Sequence, residues 1–299
     1  MEFRPLRAFV EVVRSGGFSP AARVLNATQP TVSKAVKQLE DEVGIPLLDR
    51  IGHRAVLTAA GEAVFRRGIR LLADRDDLLA ELAEIRGLRR GVLRLGLPPV
   101  GSSTLFAPLV AAYRRRHPGI ELRLAEHGSD LLEEKLRAGE IDFAGALLPT
   151  SDEFDWQLVR CEPLVALLPA QHRLATRATL AIEELRETPF ILFDSGFTLQ
   201  RIVLEACRQA GFDPEIAVRS TQIDFMVELV RAGLGVAFLP RLIAAAKSDP
   251  GLKAVLLEGE YLDWNMAMVW RRGAYVSHAA AAWLDCVREE SRRPDPSTS

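Results

Sequence analysis

Apolar positions in the first sixty residues recur at helical spacing, broken by short glycine- and proline-marked interruptions. Leu6, Phe9, Val10 and Val13 fall at offsets 0, 3, 4 and 7, which predicts an amphipathic helix from about Pro5 to Arg14. Ser15-Gly16-Gly17 ends it. A second, shorter helix is predicted with Ser19 as N-cap, Pro20 at its first position and Ala21, Ala22, Val24 and Leu25 as apolar body, stopping at Asn26-Ala27. Thr28 then caps a third, in which Val32, Ala35, Val36 and Leu39 form the buried stripe. After Gly44-Ile45-Pro46, the run LLDRIGHRAVLT reads as two short strands around Gly52, a small wing carrying Arg50, His53 and Arg54 at its bend.

The polar side of the third helix carries the chemistry. Winding it at about 100° per residue sets Pro30, Lys34 and Lys37 opposite the apolar stripe, flanked by Ser33 and Gln38, with Gln29 and Thr31 near the amino end. Lysines commonly do no more than solvate a surface helix. Here, however, two short helices joined by a tight turn, the second exposing amides, hydroxyls and lysines, predict a helix-turn-helix whose second helix enters a DNA major groove. Arginine forks on the wing suit phosphates or a narrow minor groove.

Thr58 predicts the cap of a long helix reaching about Arg86. In it Val64, Leu71, Leu78 and Ile85 repeat every seven residues beside Phe65, Leu72 and Leu79. Gly68 and Arg75 interrupt the pattern, which excludes a long regular zipper and leaves a short antiparallel pairing of two copies, or packing against the chain's own domains. At ~1.5 Å per residue such a helix is about 40 Å long, and a monomer would leave much of its stripe uncovered, which favours a homo-oligomer.

Beyond the hinge Gly87-Leu88-Arg89-Arg90-Gly91 the pattern changes to short β-like runs alternating with amphipathic helices, the mark of βαβ units and a mostly parallel sheet. Strands are predicted at VLRLGLP from Val92, at IELRLAEH from Ile120, and over Ile141 to Leu148, Trp156 to Pro169, Phe190 to Phe193, Glu215 to Arg219, Gly235 to Leu239, Leu252 to Leu257 and Asp263 to Trp270. Helices are predicted over Ser103 to Arg116, Ser129 to Ala138, Thr198 to Ala210, Ile223 to Ala232 and Ser277 to Glu290. The last of these rejoins the first block, giving two α/β lobes joined by two crossing strands. The polar, Pro-rich tail RRPDPSTS predicts disorder.

Composition adjusts this picture little. The chain has 299 residues, 48% hydrophobic and 26% charged, which excludes disordered, collagen-like and disulfide-scaffold classes. No run approaches the length of a membrane span and no cleavable leader precedes the first helix, so a cytoplasmic protein is expected. Cys161, Cys207 and Cys286 lie far apart without zinc spacing, and the five histidines are as scattered, so no metal and no cofactor is expected. A formal charge of -2 hides an asymmetry: residues 1–90 carry a net +3 and the remainder a net -5. That balance argues against wholesale polyanion binding and permits a small basic face on the first segment.

The stretch FSPAARVLNATQPTVSKAVKQLEDEVGIPLLDRIGHRAVLTAAG resembles the amino-terminal domain of LysR-type transcriptional regulators. The resemblance rests on its FS-x-AA-x-x-L helix, S/T-Q-P-x-x-S turn, L-E-x-x-x-G-x-P-L loop and R-x-x-x-R…LT-x-AG wing exit. Leu48-Asp49 departs from the family's usual Phe followed by an acid. The segments LRLGLPP, YRRRHPGIELRLAEHGS, GEIDFA and VELVRAGLGVAFLPR are similar to the effector-binding domain of the same family. The resemblance implies an α plus α/β architecture: a winged helix-turn-helix over 1–58, a linker helix over 59–87, and a two-lobed periplasmic-binding-protein-like domain over 88–299. Lobe 1 would take about 91–161 and 266–292, and lobe 2 about 162–265. It further implies pairing through the linker helix into homodimers or homotetramers, double-stranded operator DNA as partner, and RNA polymerase as a further one.

Carried over by position, Gln29, Pro30, Thr31, Ser33, Lys34 and Lys37 face the groove, with Arg50 and Arg54 on phosphates or in the minor groove. In the carboxy-terminal half, hydroxyls where strands give way to helices are the effector-binding candidates: Ser102, Ser103, Ser129, Thr198 and Thr221, with Phe197 beside them. Each also suits a plain N-cap. Helix amino termini and hydroxyls together favour an anionic, carboxylate effector.

Two rival classes fit the sequence less well. An enzyme finds little support, since Ser195 sits in FDSG rather than GxSxG, Gly233-Leu234-Gly235 lacks a third glycine, and no HExxH or Walker loop occurs. A solute-binding component would fit the carboxy-terminal fold alone, but the winged helix and the lack of a leader oppose it.

Overall fold

The computed structural model describes residues 2–51, 54–85, 91–247, 249–259 and 262–291; the Pro-rich tail lies outside them. Two compact units result, one ending at Ala83 and the other beginning at Glu84, with residues 137–139 outside the second.

In the first unit, α1 (Phe3–Arg14), α2 (Phe18–Val24) and α3 (Gln29–Val43) surround a core of Leu6, Phe9, Val10, Val12, Ala21, Ala22, Val32, Val36, Leu39 and Leu47. Helix α1 begins two residues earlier than its apolar stripe predicts. Pro5 falls in its first turn, where a missing N–H has no partner to lose. The same reason corrects the cap of α2: Gly17, not Ser19, is the N-cap, and Pro20 sits in the first turn while the half-buried Phe18 packs on the core. Thr28 caps α3 as expected, its Oγ1 accepting from the Thr31 N–H at 3.4 Å. Gly44 closes the helix in the left-handed conformation at φ 73°, which costs a glycine nothing. Glu40 ties the end of α3 to the wing, its Oε1 accepting from the backbone N–H of Leu47 at 2.8 Å and of Leu48 at 3.2 Å.

The wing is an antiparallel pair, β1 (Leu48–Ile51) and β2 (Arg54–Leu57), in register from Leu48 opposite Leu57 to Ile51 opposite Arg54. Helix α4 (Ala59–Ile85) follows, capped by Thr58, whose Oγ1 accepts from the Gly61 N–H at 2.9 Å and donates to the Pro46 carbonyl at 2.9 Å. Two glycines let α4 lie close to its neighbours. A Cβ on Gly68 would meet Leu6 Cδ1 at 2.7 Å, and one on Gly61 would meet the Leu47 carbonyl oxygen at 2.0 Å.

The second unit is built on one sheet path, β4-β3-β5-β12-β6-β10-β8-β9, with β11 and β7 to one side. Lobe 1 holds β3 (Val92–Leu97), β4 (Glu121–Glu126) and β5 (Phe143–Leu147), all parallel. Lobe 2 holds β8 (Phe190–Phe193), β9 (Ile216–Ser220) and β10 (Val236–Pro240), parallel likewise, plus β7 (Thr179–Ala181) and β11 (Leu252–Glu258). The crossing strands run against these, so each lobe's sheet is mixed. Strand β6 (Phe154–Pro169) pairs with β12 (Asp263–Arg271) up to Pro163 and with β10 and β11 from Leu164 on. The chain returns at the same level, where the Leu164 N–H donates to the Leu262 carbonyl at 3.0 Å.

The predicted helices of this unit are present, with a correction at Ser103, and α9 is an addition to them. A π-helical turn spans Ser102–Phe106, and α5 starts only at Ala107, running to Arg116. Pro108 has no N–H to give Thr104, so the α pattern cannot run through from Ser103, and Phe106 bonds back to the Gly101 carbonyl at 3.0 Å instead. Then come α6 (Ser129–Arg137), α7 (Thr198–Gln209), α8 (Ile223–Arg231), α9 (Arg241–Ala246) and α10 (His278–Ser291). Helix α10 rejoins lobe 1: Trp283 packs edge-on to Tyr113 of α5, whose hydroxyl donates to the Ala279 carbonyl at 2.8 Å. Replacing Gly61 with alanine drives a methyl into the Leu47 carbonyl. Urea unfolding followed by circular dichroism should show a loss of about 1–3 kcal/mol.

Candidate functional site

The outer face of α3 has the character its winding predicts. Gln29, Pro30, Thr31, Lys34 and Lys37 are exposed and Ser33 is half-buried, while Val32, Val36 and Leu39 face inward. Thr31 Oγ1 lies 2.8 Å from Thr28 Oγ1, so its hydroxyl is engaged within the cap. Lys34 stands without an ion-pair partner among the described residues, but Lys37 Nζ lies 3.0 Å from Asp41 Oδ1, one turn further on. The hydrogen bond and charge of Asp41 push the Lys37 ammonium above its ordinary pKa, so it is cationic at any physiological pH. The backbone of the wing places Arg50 and Arg54 on its paired strands; their side chains, and all of Gly52 and His53, lie outside the described residues.

On α4 each of the two predicted apolar rows is split along the helix, its early members on the core and later ones exposed. Leu72 is buried in the first unit's core, with Val64, Phe65 and Ile69 packed against it. Leu71, Leu78, Leu79 and Leu82 stand 41–54% exposed, an apolar stripe interrupted at Arg75. Net charge changes sign along the same helix: Arg66, Arg67 and Arg70 outweigh Glu62 in its first half, and Asp74, Asp76, Asp77, Glu81 and Glu84 outweigh Arg75 in its second.

Between the lobes of the second unit, at the carboxyl ends of the parallel strands, opens a cavity of about 570 Å³. Ser103, Phe197 and Thr221 line it, three of the six residues expected there. Ser102 Oγ faces the Pro99 carbonyl at 3.4 Å. Ser129 and Thr198 are engaged with each other instead: Ser129, 7% exposed, accepts from the Thr198 N–H at 3.4 Å. This contact joins the start of α6 in lobe 1 to the start of α7 in lobe 2. Beside it the Asp130 N–H donates to the Gly196 carbonyl at 3.4 Å, and Arg201 reaches Asp130 Oδ1 at 2.7 Å and Thr198 Oγ1 at 2.9 Å.

The remaining lining was not foreseen. Glu126, His127 and Gly128 follow directly on β4, and Gln222, Ile223 and Asp224 open α8. The strand-end rule that selected the hydroxyls covers these positions too, had charged and backbone groups been counted. Ile243 and Lys247 come from α9 and its end, an element the periodicity did not signal. Lys247 Nζ is hydrogen-bonded to Asp224 Oδ1.

Below the cavity, where β6 crosses between lobes, Glu162 is 2% exposed and held by Arg160 at 2.8 Å and, from the start of α9, by Arg241 at 3.6 Å. Cys207 is buried, and burial with the nearby Asp213 pushes its thiol pKa up to about 12. Cys286 is also buried. Exposed Cys161 is raised as well, by partial burial and the charges of Asp263 and Glu162, so neither it nor Cys207 is held as a ready thiolate. Among the described residues no His, Cys, Asp and Glu cluster is arranged to hold a metal, and no helix is long and apolar enough to cross a membrane.

A winged helix-turn-helix followed by a two-lobed α/β domain with a cavity at its strand ends defines a ligand-responsive DNA-binding protein. Residues 3–62 match the bacterial regulatory helix-turn-helix domain of the lysR family, and residues 86–292 match the LysR substrate-binding domain. The chain belongs to the LysR family of transcriptional regulators; it is a DNA-binding regulator with an effector-binding domain and not an enzyme. It is 33% identical over 287 residues to YwbI, an uncharacterised HTH-type transcriptional regulator of Bacillus subtilis, covering 95% of both chains. It is 37% identical over 248 residues to the regulator AlsR of the same organism, covering 80% of each. A solved full-length OxyR variant from Pseudomonas aeruginosa is 26% identical, with a TM-score of 0.73 over 96% of this chain and 95% of that one.

The Asp130–Arg201 pair and its neighbours couple the lobes through partly exposed groups, so Arg201→Ala is expected to change global stability by less than about 1 kcal/mol. The same variant should speed hydrogen exchange at Asp130 and Thr198, whose N–H groups lie in that contact. Unchanged exchange there would show that Arg201 does not hold the lobes together.

Proposed function

We propose that the protein is an effector-switched transcription factor that reads operator DNA with α3 and the wing and binds a small molecule in the cavity between its lobes. The observation that carries this reading is the coexistence of an exposed polar and cationic α3 face with a cavity lined by Ser103, Phe197 and Thr221 from two lobes. Gln29 suits a bidentate contact to adenine, the Thr31 methyl a thymine, and Lys34 and Lys37 guanine or phosphate; Pro30 and Ser33 shape the same face, and Arg50 and Arg54 take phosphates or the minor groove. Lys37 reaches a phosphate by exchanging its Asp41 partner.

The exposed leucines of α4 support pairing with a second copy. Antiparallel pairing sets the basic first half of one helix against the acidic second half of the other, which favours that orientation. A dimer, or a pair of dimers, presents its recognition helices to spaced half-sites, and effector binding changes lobe angle, DNA bending and contact with RNA polymerase. Domain limits of 1–58, 59–87 and 88–299 suit these three tasks. The expected carboxylate effector finds the amino terminus of α8 and Lys247 in the cavity wall, the latter already occupied by Asp224.

The test is fluorescence anisotropy of the full chain on duplex from upstream of its own coding sequence against random duplex, at two salt concentrations. A preference of ~10³-fold or more supports a specific regulator. Lys37→Ala should weaken binding to both duplexes and lower the salt slope by about one, whereas Gln29→Ala should cut the preference for the specific duplex. Leu78→Glu, at an exposed position of the α4 stripe, should convert the oligomer to monomer in light scattering, with loss of high-affinity operator binding.

A further inference from the structure

The charges lining the cavity do not suit an effector that is anionic and nothing else. Lobe 1 contributes Glu126 at the end of β4, whose carboxylate has neither an ion pair nor a hydrogen bond among the described residues. Lobe 2 contributes Asp224 and Lys247, which are paired with each other. Glu126, on the lobe 1 side, is thus the carboxylate of the lining without a cationic partner among the described residues. The opposite wall offers the positive features: the first turn of α8 behind Thr221 and Gln222, and a lysine that a carboxylate can share with Asp224.

Glu126 is exposed to solvent in the open cavity, and a simple carboxylate filling that space would displace its water while adding a second negative charge beside it. A molecule with a protonated amine at one end and a carboxylate at the other meets both walls, the amine donating to Glu126 and the carboxylate taking the α8 amino terminus and Lys247. Because Glu126 belongs to one lobe and Lys247 to the other, such a ligand spans the cleft and ties its two sides. Apolar walls for the body between the charged ends come from Phe197, Ile223 and Ile243.

We propose, on the reading of this cavity as the effector site, that the effector is an amphoteric amino-carboxylate, an amino acid or a close derivative, with Glu126 as the residue that selects the amine. The experiment is calorimetric titration of the full-length protein with the standard amino acids, each beside its decarboxylated amine and its desamino carboxylic acid. At least one amino acid should bind about tenfold or more tightly than both its counterparts. Glu126→Gln should remove that advantage by weakening the amino acid, with the desamino acid's affinity held or raised. A desamino acid that binds as well as its amino acid, an amino acid indifferent to Glu126→Gln, or no binding by any probe overturns the proposal. The variant Ser103→Trp, which fills the cavity, separates the two levels of argument. Desamino acids that bind tightly to the native chain and are lost in Ser103→Trp would leave the cavity reading standing and sink the amphoteric one. Binding that survives Ser103→Trp for every probe would sink both.

Discussion

The continuous strand β6 is the constraint on which the ligand-binding half depends. Its first ten residues hydrogen-bond into lobe 1 through β12 and its last six into lobe 2 through β10 and β11. The chain returns at Leu262, bonded to Leu164, so both connections lie side by side. Two adjacent connections let the lobes pivot but not separate, because any larger displacement would break ladder hydrogen bonds in a buried strand. Glu162 sits at that level with almost no exposure, held by an arginine of its own strand and by Arg241 from lobe 2. Removing either partner from a buried carboxylate is costly, so the crossing is the stiff part of the hinge.

From that fixed crossing the rest of the cavity follows. Strands β3 and β4 of lobe 1 run with β6 and strands β8 and β9 of lobe 2 run against it, so their carboxyl ends point toward each other across the crossing, and the segments leaving them place helix starts and strand-end side chains around one space. The amino-terminal unit obeys a different constraint. Its helices are too short to be stable alone, and they persist because Leu6, Phe9, Val36 and Leu39 bury one another while Thr28, Glu40 and Thr58 satisfy the backbone groups that short helices and tight loops leave open. That economy leaves most of the outer face of α3, Thr31 in the cap aside, free of structural duty.

Most of this architecture was legible in the sequence because it is periodic. The stripe Val32, Val36, Leu39 fixed the inner side of α3, and the strands from Val92, Phe190 and Asp263 begin where their apolar runs begin. Boundaries slipped around prolines: α1 and α2 place theirs later in the first turn, and Pro108, in the first turn of α5, keeps the α pattern from running back to Ser103, so a π-helical turn precedes that helix. The cavity was only half legible. Ser103, Phe197 and Thr221 were found by the rule that helix starts follow strand ends, but that rule does not say which hydroxyls meet each other across the lobes, and Ser129 and Thr198 do. Lys247 depends on the path of α9, a six-residue helix with too few turns to show a period.

The contacts that bring the lobes together are of another order of strength from the hinge. Asp130 and Arg201 are each about half exposed, and pairs of that kind contribute about 0–1 kcal/mol. The accompanying hydrogen bonds, Asp130 to Gly196 and Thr198 to Ser129, are both 3.4 Å long, near the limit of useful geometry. A lobe arrangement held by so little lies within a few kcal/mol of alternatives, whereas a ligand with micromolar affinity for one arrangement brings about 8 kcal/mol to it. Differential binding of about 5.5 kcal/mol is enough to invert such an equilibrium almost completely. The division between a stiff, buried crossing at Glu162 and a weak, solvent-facing contact at Asp130 would therefore let a small molecule of the proposed kind set the angle between the lobes without threatening the fold.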